Sequence, residues 1–205
     1  MKKIPTLFKR EWKDGRVVGI SREVTPGCEW VLEGEGEATS KLDGACCAVI
    51  NGEYYKRYDA KKGKKPPEGA IPCCDPDPVT GHWPHWVKLD KGNPADKWLL
   101  AAFESRGEGY CTDGTYEAVG PHFQGNPHGL PFDTIARHGA GKIGGRHPGV
   151  DGYYDEPELE RTFDGIRKWF EEYDMEGIVF WRNGEPQCKI KRTDFGLEWP
   201  IKSKE

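Results

Sequence analysis

Ala45-Cys46-Cys47-Ala48-Val49-Ile50-Asn51-Gly52-Glu53-Tyr54-Tyr55-Lys56-Arg57-Tyr58 decides the fold class. Both flanks of Asn51-Gly52 are rich in β-branched or aromatic residues, and Asn-Gly favours a two-residue hairpin turn because both of its positions need positive φ. The stretch predicts a hairpin in which Ile50 faces Glu53 and Cys46 faces Arg57. A second such pair, Asn183-Gly184, joins Gly177-Ile178-Val179-Phe180-Trp181 to Gln187-Cys188-Lys189-Ile190-Lys191, with Pro186 disturbing the register beside the turn. A weaker hairpin is expected around Asp113-Gly114, between Gly109-Tyr110-Cys111-Thr112 and Thr115-Tyr116-Glu117-Ala118-Val119.

Helical patterns are few. Ala95, Trp98, Leu99, Ala102 and Phe103 fall on one helical face after Asn93-Pro94, a cap followed by proline in the first turn. Leu159, Phe163, Ile166 and Phe170 do the same after Asp155, with Glu158 as its capping partner. Strands interrupted by a few helices define an α+β fold dominated by antiparallel sheet. Residues 59–85 and 120–155, rich in Gly, Pro and charge, read as long loops. No linker or internal repeat divides the chain, so residues 1–205 are expected to form one domain.

The 205 residues carry 30 Lys and Arg against 34 Asp and Glu, a net charge of −4 that argues against coating nucleic acid by bulk charge alone. With 27 glycines, 16 prolines and 36% apolar residues, long bundles and coiled coils are disfavoured, while eight each of Trp, Tyr and Phe supply core material. No segment has the apolar length of a membrane span or a signal peptide. Seven cysteines, an odd number without a Cys-x-x-Cys, suit a reduced, cytoplasmic setting.

Chemistry concentrates at Lys41-Leu42-Asp43-Gly44, which opens the first hairpin. A lysine is nucleophilic only when neutral, and lowering its pKa from about 10.4 to about 7 requires roughly 4–5 kcal/mol of destabilisation of the ammonium. Burial and neighbouring cations can supply that. The hairpin arithmetic returns Arg57 to the start of the strand, close to Lys41, where it could hold a phosphate or ribose. In the second hairpin, an uninterrupted two-residue turn would set Phe180 against Gln187, Ile178 against Lys189 and Glu176 against Lys191. Glu176, Lys189 and Lys191 would then share one face, and Val179, Cys188 and Ile190 the other. Two ammoniums beside one carboxylate suit a phosphate and its divalent metal.

In order, Lys41-x-Asp43-Gly44, Arg57, Tyr116-Glu117-Ala118-Val119-Gly120, Glu176-Gly177-Ile178-Val179-Phe180 and Lys189-Ile190-Lys191 resemble the covalent nucleotidyltransferases: ATP-dependent RNA and DNA ligases and mRNA-capping guanylyltransferases. Gly114-Thr115-Tyr116-Glu117 through Gly125-Asn126-Pro127, with the Cys46-Cys47 pair, look like the small RNA ligase family of vertebrates and bacteria that joins 5′-phosphate to 3′-hydroxyl RNA ends. The resemblance implies an antiparallel-sheet adenylylation domain without a C-terminal OB module, using ATP and Mg²⁺ or Mn²⁺ and requiring no obligate protein partner. By the same resemblance, Lys41 is the nucleophile that carries AMP, Arg57 contacts the nucleotide sugar and incoming phosphate, and Asp43 positions the nucleotide. Glu117 binds the ribose or a metal-bound water, Glu176 serves the catalytic metal, and Lys189 and Lys191 hold the α-phosphate. DNA ligation, capping and a non-catalytic RNA-binding module of the same fold are the alternatives. Phe180 is a candidate to stack on the purine, although a core phenylalanine is the ordinary reading.

The basic residues Lys56, Lys61, Lys62, Lys64 and Lys65 could meet RNA phosphates. Cys73-Cys74 with His82 and His85 lacks zinc-finger spacing. Gly139-Ala140-Gly141-Lys142-Ile143 fails as a phosphate loop, because Ala136 stands where the first glycine is required and Ile143 replaces Ser or Thr.

Overall fold

A computed structural model describes residues 3–61, 63–78, 80–107, 110–143, 146–149, 152–155 and 158–201. Its strands are β1 (Phe8–Lys13), β2 (Arg16–Val24), β3 (Glu37–Lys41), β4 (Ala45–Ile50), β5 (Glu53–Ala60), β6 (Ile71–Pro72), β7 (Trp83–Lys88), β8 (Gly114–Val119), β9 (Thr134–Arg137), β10 (Arg146–Gly149), β11 (Gly152–Asp155), β12 (Gly177–Arg182) and β13 (Glu185–Lys191). The helices are α1 (Lys97–Glu104) and α2 (Phe163–Glu172), with short 3-10 turns elsewhere. The named strands pair antiparallel throughout, giving the α+β class that the hairpin signals predicted. No helix among the described residues is long and apolar enough to cross a membrane.

The chain forms two compact units, one built from Asp43–His138 with Lys3, the other from Ile4–Leu42 and Gly139 onward. The first holds a six-stranded sheet in the order β6-β7-β5-β4-β8-β9. Its core packs Cys47, Val49, Tyr116, Ala118 and Ile135 against Leu99, Ala102 and Phe103 of α1. The Asn51-Gly52 turn has the expected positive φ values, 52° and 74°, and β4 pairs β5 from Cys47↔Lys56 to Ile50↔Glu53 in the predicted register. Asp113 accepts the N–H groups of Asn51 at 2.9 Å and Gly52 at 3.1 Å. That explains why the expected Asp113-Gly114 hairpin is absent: Asp113 serves another turn, and β8 pairs β4 and β9 instead of residues 110–112. Gly109 lies outside the described residues. Gly44 is sterically dictated, because a Cβ there would stand 2.1 Å from the Ala118 carbonyl oxygen.

The second unit holds the three-stranded sheet β13-β12-β3 and the β1-β2 and β10-β11 hairpins. The inner sheet face, with Ile178, Phe180, Cys188 and Ile190 all fully buried, packs with Ile166, Trp169 and Phe170 of α2 and with Leu7, Phe8 and Trp30. Phe180 is therefore a core residue and not a base-stacking surface. Its helix begins later than expected: Thr162, not Asp155, is the cap, accepting the Gly165 N–H at 3.0 Å. Strands also enter both segments read as loops, with β6 and the start of β7 in residues 59–85 and β9, β10 and β11 in residues 120–155. β7 was hidden by Pro84, tolerated in a strand whose partners still pair on both sides.

Candidate functional site: a cation cluster and a thiol, carboxylate and imidazole group

Lys41 ends β3, and β3 pairs with β12, so Lys41 does not open the first hairpin as expected. In the second hairpin, Arg182↔Glu185 and Trp181↔Pro186 keep the predicted register, but a shift between Phe180 and Trp181 sets Phe180 against Cys188, Val179 against Lys189 and Gly177 against Lys191. Pro186 has no N–H to give the ladder, and the extra residue is accommodated beside it. The expected partition of faces is corrected accordingly. Val179 lies on the lysine face, and Ile178 and Phe180 lie on the apolar one.

Across β3, β12 and β13, Lys41, Gly177 and Lys191 form one row and Thr39, Val179 and Lys189 the next, so all three lysines share a face. Gly177 keeps the middle of the first row open, and a Cβ there would meet the Ile190 carbonyl oxygen at 2.5 Å. Glu176 precedes β12 and reaches the same cluster from the strand end. Its buried carboxylate accepts from Lys41 Nζ at 2.5 Å through Oε2 and from Lys191 Nζ through Oε1. Lys189 is held low, its pKa lowered to about 8, first by burial and then by the charges of Lys191, Lys41 and Arg10, with Glu176 opposing. Asp194 anchors the far side, accepting from the Lys191 N–H at 2.9 Å and from Arg10 Nη2 at 3.3 Å. Arg10 Nε is a buried donor without a partner among the described residues. Four cations thus face two carboxylates, an arrangement suited to a phosphate chain. This environment disfavours Lys189 as an ammonium.

Asp43, Arg57 and Glu117 belong to the other unit. The Asp43 N–H donates to His128 Nε2 at 2.9 Å. Arg57 on β5 donates through Nε to Asp59 at 3.0 Å. Glu117 on β8 lies opposite Cys46 on β4, and its Oε2 is 3.0 Å from His138 Nε2. His138 Nδ1 is 2.9 Å from Thr115 Oγ1. Burial, then the Glu117 charge, pushes the Cys46 thiol up to about 12.

Of the expected RNA-facing lysines, Lys56 pairs with the buried Asp96, while Lys61, Lys64 and Lys65 are exposed and Lys62 lies outside the described residues. Cys73, Cys74, His82 and His85 do not form a ligand group among the described residues, and His85 Nδ1 lies 2.9 Å from the Trp83 carbonyl oxygen. Sequence reasoning missed Arg10, Asp194 and His138. Arg10 sits in a strand that the Asp14-Gly15 turn, with φ of 50° and 74°, could have announced. Asp194 and His138 have no local signal, since their roles depend on pairing across the fold.

Three curated relatives are proteins named RNA ligase 1. The chain is 27% identical to that of Danio rerio, 27% to that of Mus musculus and 25% to that of Pongo abelii, each match covering 80% of this chain and 68% of the relative. No family model matches the chain.

Proposed function

We propose that the chain is an ATP-dependent RNA ligase acting through an adenylylated Lys41, as the sequence motifs resemble and the likeness to proteins named RNA ligase 1 supports. The observation that carries the reading is the convergence of Lys41 and Lys191 on Glu176, with Lys189 on the same sheet face. Lys41 Nζ releases a proton, with Glu176 Oε2 the carboxylate in contact to accept it, and then attacks the α-phosphorus of ATP. The N–P bond forms, the bond to the β-phosphate oxygen breaks, and pyrophosphate leaves. The AMP passes to an RNA 5′-phosphate, and a 3′-hydroxyl displaces it to seal the strand. Lys189, Lys191 and Arg10 neutralise phosphoryl oxygens, so catalysis rests on alignment and charge stabilisation.

Mg²⁺ suits a site with one carboxylate and substrate phosphates, and Glu176 is the residue here that would hold it. When bound, the ion supplies further neutralisation of the phosphates. Arg57, Asp43 and Glu117 are assigned to the nucleotide by the resemblance, with Glu117 on the ribose or a metal-bound water. Lys61, Lys64 and Lys65 are assigned to the RNA backbone.

Intact-mass measurement after incubation with ATP and Mg²⁺ should show one added AMP, absent in Lys41→Ala. No adduct from folded protein overturns the proposal. An adduct that survives Lys41→Ala moves the nucleophile elsewhere, with Lys189 the first position to map. Transfer of the AMP to 5′-phosphorylated RNA in preference to DNA, and labelling by ATP in preference to GTP, separates RNA ligation from DNA ligation and capping.

A further inference from the structure

Cys46, Glu117 and His138 offer one sulfur, one oxygen and one nitrogen, all within 4.8 Å of one another, and they form the sole group of this kind among the described residues. The sheet register builds the group. Cys46 and Glu117 are paired across β4 and β8, Glu117 pairs in turn with Ala136 on β9, and His138 follows β9 directly. We propose that this trio binds a soft divalent cation of the Zn²⁺ class, with a fourth position open to water.

Tetrahedral zinc, with bonds of about 2.0–2.3 Å, spaces its ligand atoms roughly 3.3–3.8 Å apart, so the 3.0 Å contact between His138 Nε2 and Glu117 Oε2 opens slightly on binding, while the other separations start from no more than 4.8 Å. A thiolate and an imidazole select Zn²⁺ over Mg²⁺, which prefers oxygen alone. The surroundings match those of a ligand set. His138 Nδ1 is tied to Thr115 Oγ1 at 2.9 Å, which fixes the ring with Nε2 in the group, 3.0 Å from Glu117 Oε2, a contact that the ion would replace. Burial and the Glu117 charge oppose the Cys46 thiolate, whereas the Arg57 charge favours it and the bound cation would supply the remainder, with Asp59 holding the guanidinium. On binding, the Cys46 S–H bond breaks, its proton passes to solvent and an S–metal bond forms, with no change of oxidation state. Two anionic ligands then offset the charge of the ion.

This site shares Glu117 and its neighbour Arg57 with the proposed ligase function but does not depend on it, and the test reads the metal alone. Titrating the reduced 205-residue protein with Co²⁺ should give one equivalent bound, with thiolate-to-cobalt charge-transfer absorption, and Zn²⁺ should displace it. Cys46→Ala should abolish that absorption, and His138→Gln should weaken binding. Thr115→Val, which keeps all three ligands, should weaken it by roughly 10- to 100-fold. Folding of each variant is checked by thermal unfolding without metal. Absence of charge-transfer absorption in folded wild-type protein overturns the proposal. So does absorption that persists in Cys46→Ala, which would place the ion on another of the seven cysteines.

Discussion

Lys189 is the residue at which function and stability oppose each other most directly. Its folded pKa of about 8, against an ordinary 10.5, means that the folded state holds an ammonium it would more readily keep in the unfolded chain. Below pH 8 the lysine is charged in both states and the penalty is fully present. As pH rises from about 8 to 10.5, the folded state gives up the proton first and the penalty lifts. Lys189→Met should therefore raise stability at pH 7 by about 1–3 kcal/mol, and should flatten the rise of stability across that pH window. Chemical denaturation at pH 7 and pH 10 measures both effects, and a destabilised variant with an unchanged pH profile would contradict the assignment. By the proposed function, the same variant loses adenylylation. The position of Lys189 was legible as part of a Lys-x-Lys strand, but its low pKa depends first on burial and then on neighbouring charges, of which Lys41 and Arg10 reach it from β3 and β1.

At the level of elements, the turns were legible and the caps and interruptions were not. Asn51-Gly52 and Asn183-Gly184 have local chemistry strong enough to set positive φ at both positions. Pro186 announced a disturbance without stating its direction, and the one-residue slip beyond it moved Val179 onto the lysine face. Lys189 and Lys191 nevertheless share a face, since they alternate with buried Cys188 and Ile190 whatever strand lies opposite, and Lys41 joins them through the pairing of β3 with β12. Helix α2 was recognised by its apolar period, but its start was placed too early because Leu159 continues the pattern while contributing to the core from outside the helix. Thr162 carries the actual start signal. Thr162→Ala should cost about 1 kcal/mol, and Thr162→Asp should retain most of the stability, since either side-chain oxygen can accept the Gly165 N–H. Thermal unfolding of the two variants checks this.

On the scale of the whole molecule, the chain leaves one unit after Leu42, builds the other, and returns at Gly139. Each unit has its own apolar core, with Ile178 fully buried in one and Ile135 in the other. Truncating either to alanine should cost about 2–5 kcal/mol. Hydrogen exchange followed by mass spectrometry should show Ile135→Ala loosening residues 43–138 most, and Ile178→Ala loosening residues 4–42 and 139–201 most. Equal acceleration everywhere in both variants would mean that the two cores open together. The sequence signals were insufficient to show this division because no Pro- or Gly-rich linker marks the crossings. Lys41-Leu42-Asp43-Gly44 is one motif in sequence, yet its lysine ends a strand of one sheet and its glycine leads into a strand of another. The outer edge of β13 is closed by the chain's own early residues: the Leu7 N–H donates to the Lys189 carbonyl at 2.7 Å, and the Lys189 N–H donates to Pro5 at 3.0 Å. A shortened protein starting at Phe8 would strip the main chain of Lys189 of both bonds and leave that lysine on a frayed margin. Such trimming is expected to blunt nucleotide capture even though it leaves Arg10, Lys41, Glu176, Lys189, Lys191 and Asp194 all in place.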